Sequence, residues 1–97
     1  MDITMQKNEA QLALALTGRL DTSTAPQLEK VVNDDLAGVT ELVIDCEKLE
    51  YISSAGLRVL LKAQKKMGAG NMKLQNVNET IMEVFEITGF CDVLTIE

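Results

Sequence analysis

The sequence predicts an α/β domain, a mixed β-sheet of four to five strands with helices packed on it, in the order ββαβαβα(β). Three observations lead there. Apolar residues alternate with period two near the N-terminus, at Ile3 and Met5 and again at Leu12, Leu14 and Leu16. Helical spacing of three and four residues then recurs in three later segments. Between those segments lie short apolar runs of strand length. A hairpin followed by alternating strands and helices implies a mixed sheet with helices packed on it. The 97 residues suit one hydrophobic core, so residues 1–97 read as a single domain.

Each element has its own signals. Lys7, Asn8 and Glu9 separate the first two strands as a tight turn. In the second strand, Gln11–Thr17, Ala13 and Ala15 oppose the leucines, which suggests burial on both sides. Residues 18–23 read as a loop. Leu28, Val31, Val32 and Leu36 form one face of the first helix, with Thr24 as N-cap, Pro26 in the first turn and Gln27 completing a capping box. Asn33, Asp34 and Asp35 take its solvated face, and Gly38 follows its end. Leu42–Val43–Ile44, within Glu41–Cys46, lacks clean alternation and suits a central strand covered on both faces. Lys48–Tyr51 reads as a connection.

Ser53 opens a second helix, whose core stripe is Leu57, Leu60, Leu61 and Met67, widened by Ala55, Val59 and Ala63. Ile52 and Leu57 bracket its start as a hydrophobic staple. Gly68 and Gly70 stop it. Met72 and Leu74, with Val77 at its margin, form another short strand. Asn78 caps a third helix with Val77 and Met82 as staple and Ile81, Val84, Phe85 and Thr88 as inner face. Gly89 ends it, and Val93–Ile96 supplies the optional last strand.

Composition excludes several function classes. The chain has no histidine, so the usual general base, the Ser-His and Cys-His nucleophile systems and the commonest metal ligand are missing. Nine basic against fifteen acidic residues leave a net charge of −6, unsuited to a phosphate backbone. Tyr51, Phe85 and Phe90 are the only aromatics, too few to stack bases. Nucleic acid is therefore not an expected partner. Cys46 and Cys91 form no CxxC pair and read as buried reduced thiols. Met1–Asn8 has no apolar signal-peptide core, and no apolar run reaches the ~18 residues of a membrane span. A cytoplasmic location without membrane insertion is expected, and a metal or cofactor is not.

One segment carries chemistry. In Tyr51–Leu61, YISSAGLRVLL, Ser53 stands at the N-cap, Ser54 at N1 and Gly56 at N3. First-turn N–H groups lack helical partners and attract anions, assisted by the helix dipole. A glycine at N3 lets a partner approach the backbone. A serine there can accept a phosphoryl group, and Arg58, four residues on, can pair with the product. From the pattern alone, an ordinary helix cap is the stronger reading.

The whole chain resembles the STAS domain, the family of bacterial anti-sigma factor antagonists. Gly18-Arg19-Leu20-Asp21 resembles that family's G-x-L-D after its second strand. Leu42–Cys46, followed by Leu49 and Ile52, resembles its central strand. Ser53-Ser54-Ala55-Gly56-Leu57 resembles its D-S-[ST]-G-L phosphorylation motif. Asn76-Val77, Val84-Phe85 and Thr88-Gly89-Phe90 complete the likeness. The resemblance implies the STAS fold and places the phosphorylatable serine at Ser54, with Ser53, where the family often has Asp, as second choice. It implies a partner-binding surface of Asp21, Thr22, Ser53, Ser54, Ala55, Gly56, Leu57 and Arg58. Asp21 reads equally as a turn or capping residue.

The implied function is that of an anti-sigma factor antagonist, not an enzyme. Its unphosphorylated form binds an anti-sigma factor that is also a serine kinase and so releases the sigma factor. Phosphorylation of Ser54 switches binding off, with ATP and Mg²⁺ held by the kinase, and a PP2C-type phosphatase restores the serine. Two other outputs suit the same fold: a soluble STAS subunit of a membrane transport complex, and a phosphoswitch with a non-transcriptional output.

Overall fold

The computed structural model describes residues 1–68 and 71–97. Strands β1 (Asp2–Asn8) and β2 (Gln11–Leu20) pair antiparallel, from Asp2 opposite Thr17 to Asn8 opposite Gln11. The chain turns at Glu9, whose φ of +57° lies in the left-handed region. Strand β3 (Glu41–Ile52) adds parallel to β2, and β4 (Met72–Gln75) parallel to β3, giving a four-stranded sheet in the order β1-β2-β3-β4. Helices α1 (Ala25–Asp34) and α2 (Ser54–Met67) are the crossovers, and α3 (Glu79–Thr88) follows β4.

All three helices share one core with one face of the sheet. Leu12, Leu14 and Leu16 of β2, Leu42, Ile44 and Cys46 of β3, and Met72 and Leu74 of β4 are buried with Leu28, Leu60 and Phe85. Each large apolar side chain so buried contributes about 1.5–3 kcal/mol. The opposite face is only half-buried at Ala13, Ala15, Val43 and Asp45. The two-sided covering expected for β2 and β3 is therefore corrected. Alternation is present in β3 but hidden, because half-exposed Val43 is as apolar as its buried neighbours.

Four further expectations change. Strand β2 continues through Gly18, Arg19 and Leu20, part of the segment read as a loop. Strand β3 includes Lys48–Tyr51, read as a connection. Register irregularities against β2 shift its phase, so buried residues fall at Cys46, Leu49 and Ile52, three apart instead of two. Thr24 is the N-cap residue of α1 by position, but its side chain caps nothing. Its hydroxyl donates to the Arg19 carbonyl at 2.7 Å and accepts from the Asp21 N–H at 2.8 Å, so no capping box forms. Finally, Val93–Ile96 is not a strand. A 3₁₀ turn (Phe90–Asp92) leads to a single parallel bridge between Ile96 and Leu74.

The caps of α2 and α3 form as expected, with Gly68 and Gly89 at positive φ past their ends. Gly70 lies outside the described residues. Of the thiols, Cys46 is buried, and burial pushes it up to about 12, assisted by the charge of Asp45. Cys91 is only half-buried, and both are free. Among the described residues no helix is long and apolar enough to cross a membrane.

Candidate functional site at the start of α2

The parallel pairing of β2 and β3 creates the site. Their last residues, Leu20 and Ile52, are register partners, and the Ser53 N–H donates to the Leu20 carbonyl at 2.9 Å. The chain leaves both strands at the same sheet end. It leaves β2 through Asp21 into α1, and β3 through Ser53 into α2. Asp21 and Ser53, 32 positions apart in sequence, thus each follow one of two paired strand ends, and Ser54 comes next.

The two adjacent serines have different duties. Ser53 has extended backbone, and its Oγ accepts from the Gly56 N–H at 3.4 Å. Its carbonyl accepts from the Leu57 N–H at 2.9 Å. Ser54 is exposed at the first helical position, and among the described residues its side chain has no hydrogen-bond partner. Its hydroxyl therefore stands free at the positive end of a 14-residue helix.

Gly56 serves a purpose other than the one expected of it. It is buried, and a Cβ placed there would lie 2.6 Å from Leu20 Cγ and 3.0 Å from Ile52 Cγ1. Its missing side chain lets the first turn of α2 settle onto the strand ends, and does not open the backbone to a partner. Leu57 is likewise buried, at 5% exposure, within the core. Of the other residues named for the surface, Thr22, Ser54 and Arg58 are exposed, and Asp21, Ser53 and Ala55 are half-buried.

Asp21 organises the loop beside Ser54. Its Oδ1 accepts from the N–H groups of Ser23 at 2.9 Å and Thr24 at 3.1 Å, and from the Thr24 hydroxyl at 3.3 Å. Its Oδ2 lies 3.8 Å from Arg19 Nε. Desolvation pushes the carboxyl upward, but these bonds and Arg19 outweigh it, so Asp21 ionises below the ordinary value. The turn role of Asp21 is thus filled, with its charge retained at the site.

Two residues escaped sequence reasoning. Arg19 and Tyr51 are register partners at the ends of β2 and β3, and the guanidinium stacks 4.2 Å from the ring centroid of exposed Tyr51. Their pairing depends on the β3 bulges, which no local pattern announces. Beside the site, Thr22, Ala55 and Arg58 help line a groove of about 620 Å³ between α1 and α2.

The STAS domain model matches residues 2–97. The chain belongs to the STAS domain family. It is 35% identical over 99 residues to BtrV of Bordetella bronchiseptica, named as a candidate anti-sigma factor antagonist, covering 99% of this chain and 85% of that protein. It is 33% identical over 100 residues to the anti-sigma-B factor antagonist of Bacillus subtilis, covering 99% and 90% respectively. The phosphorylated form of the Bacillus cell fate determinant SpoIIAA superposes with a TM-score of 0.76 at 20% identity, over 99% of this chain and 91% of that one. The STAS fold expected from the sequence is the fold observed, with four strands.

Proposed function

We propose that this STAS domain is an anti-sigma factor antagonist switched by phosphorylation at Ser54. The observation that carries the reading is the division of labour between the serines: Ser53 is committed to capping α2, and Ser54 presents a free, exposed hydroxyl at N1. The names of the relatives support the output, and the phosphorylated SpoIIAA structure supports a fold that tolerates a phosphoryl group.

The partner is an anti-sigma factor with serine kinase activity, acting in the cytoplasm. It supplies ATP and Mg²⁺, so this chain needs no cofactor. The Ser54 Oγ attacks the γ-phosphorus of ATP. The new Oγ–P bond forms as the bond to the ADP oxygen breaks, and the hydroxyl proton passes to a base on the kinase. This domain, without histidine, provides only the nucleophile. The product carries about −1.5 to −2 charge at pH 7. Helix N–H groups accommodate that charge, so the fold stays intact. The contact surface does not stay intact, because a desolvated dianion beside Asp21 costs binding energy. A PP2C-type phosphatase returns the serine.

The test is to incubate the domain with its cognate kinase and ATP and to locate the phosphate by mass spectrometry. The proposal expects phosphate on Ser54, none on Ser54→Ala, and persistent kinase binding by Ser54→Ala. Phosphate on Ser53 or elsewhere overturns the assignment.

A further inference from the structure

The groove between α1 and α2 has a lining at odds with the rest of the chain. The molecule carries a net charge of −6, yet four cations, Arg58, Lys62, Lys65 and Lys66, border this groove against one carboxylate, Glu29. Those four occupy positions i, i+4, i+7 and i+8 of α2, which is one face of a helix. From Arg58 to Lys65 the stripe extends about 10 Å, two helical turns. Its floor is apolar, formed by Ala25 of α1 and Ala55, Val59 and Leu61 of α2.

Two of the cations are already engaged. Lys62 pairs with Glu29 across the groove at 3.5 Å, and Lys66 Nζ donates to the Val32 carbonyl at 3.4 Å. Arg58 and Lys65 are exposed, and among the described residues neither has a carboxylate within 4 Å. Two free cations two turns apart, flanking an apolar trough, match carboxylates repeated along one face of a helix. A single small anion would satisfy only one of them. The trough also runs into the Ser54 surface through Thr22, Ala55 and Arg58.

We infer that this groove receives an acidic amphipathic helix of the anti-sigma factor. Its apolar side chains rest on half-buried Ala55 and Leu61, and its carboxylates meet Arg58 and Lys65. The inference rests on the proposed function and adds a second contact to it, separate from the switch. Lys65 lies eleven residues beyond Ser54, three turns along α2, so the two contacts can be tested apart.

The experiment measures affinity of the full chain for the kinase that phosphorylates it, by calorimetry at low and moderate salt, for wild type, Lys65→Ala, Lys65→Glu and Ser54→Asp. Thermal melts check that each variant folds. Lys65→Glu is expected to weaken binding about tenfold or more at low salt, Lys65→Ala by less, with both differences shrinking as salt rises. A photo-crosslinker at position 65 is expected to label an acidic helical segment of the kinase. Affinity of Lys65→Glu within about twofold of wild type overturns the inference, as does crosslinking to a basic segment or to a second copy of this chain. If Ser54→Asp loses binding while Lys65→Glu does not, the groove inference fails and the switch stands. If Ser54→Asp binds like wild type while Lys65→Glu is weakened, the switch fails and the groove contact stands.

Discussion

At the scale of single residues, the site depends on what is absent as much as on what is present. Gly56 has no Cβ, and Leu20 and Ile52 occupy the space one would need. Gly56→Ala would gain about 1 kcal/mol of helix propensity. Overpacking against two buried side chains at the ends of adjacent strands costs about 1–3 kcal/mol. The expected outcome is a lower melting temperature, by about 4–8 °C for each net kcal/mol. A rise in melting temperature would show that α2 can move aside. Asp21 gives a prediction in pH. Its folded carboxyl ionises below the ordinary value of 3.8 because its hydrogen bonds and Arg19 overcome desolvation. The unfolded chain therefore holds that proton more tightly. The stabilisation is fully present above the ordinary value and is lost as pH falls through the lower folded one. The melting-temperature gap between wild type and Asp21→Asn should be constant from about pH 5 to 7 and close in more acidic solution. A gap that widens toward acid would contradict this.

At the scale of elements, Asn78 ties a helix to the sheet. Its Oδ1 accepts from the Ile81 N–H at 2.9 Å, and its Nδ2 donates to the Leu49 carbonyl at 2.8 Å. Asn78→Ala removes the cap of α3 and leaves the Leu49 carbonyl without this partner. A loss of about 1–2 kcal/mol is expected in chemical denaturation. Asn78 and Ser53 were legible as caps because their signals are local: a polar residue, a staple, then an apolar stripe. The failures have non-local causes. The second half of β3 was hidden because its bulges replace period two with period three. The capping box at Thr24 failed because its hydroxyl is held by Arg19 and Asp21. The role of Gly56 depends on Leu20, which comes from another strand. The Arg19–Tyr51 stack and the basic groove required the parallel pairing of β2 with β3 and the packing of α1 on α2. The cap at Ser53 and the place of Ser54 at N1 were legible because both belong to a single helix start.

At the scale of the whole molecule, charge and size acquire a function. A domain that lends a hydroxyl to another protein's chemistry needs neither histidine nor metal. The net charge of −6 suits a partner that is basic overall. The α1–α2 groove locally reverses that sign, so the partner surface is expected to be mixed, with an acidic helix within a basic field. The ends of β2 and β3 and the starts of α1 and α2 meet at one end of the sheet, so on the proposed function a phosphoryl group at Ser54 would change the surface there without altering the core. The most direct test compares the affinity of the cognate anti-sigma factor for the unmodified domain with its affinity for the domain phosphorylated stoichiometrically at Ser54, circular dichroism confirming the same fold in both. The account predicts that phosphorylation weakens binding at least about tenfold, or 1.4 kcal/mol, while Ser54→Ala binds like the unmodified protein. Equal affinity of the two forms, with the phosphate verified on Ser54, would contradict it.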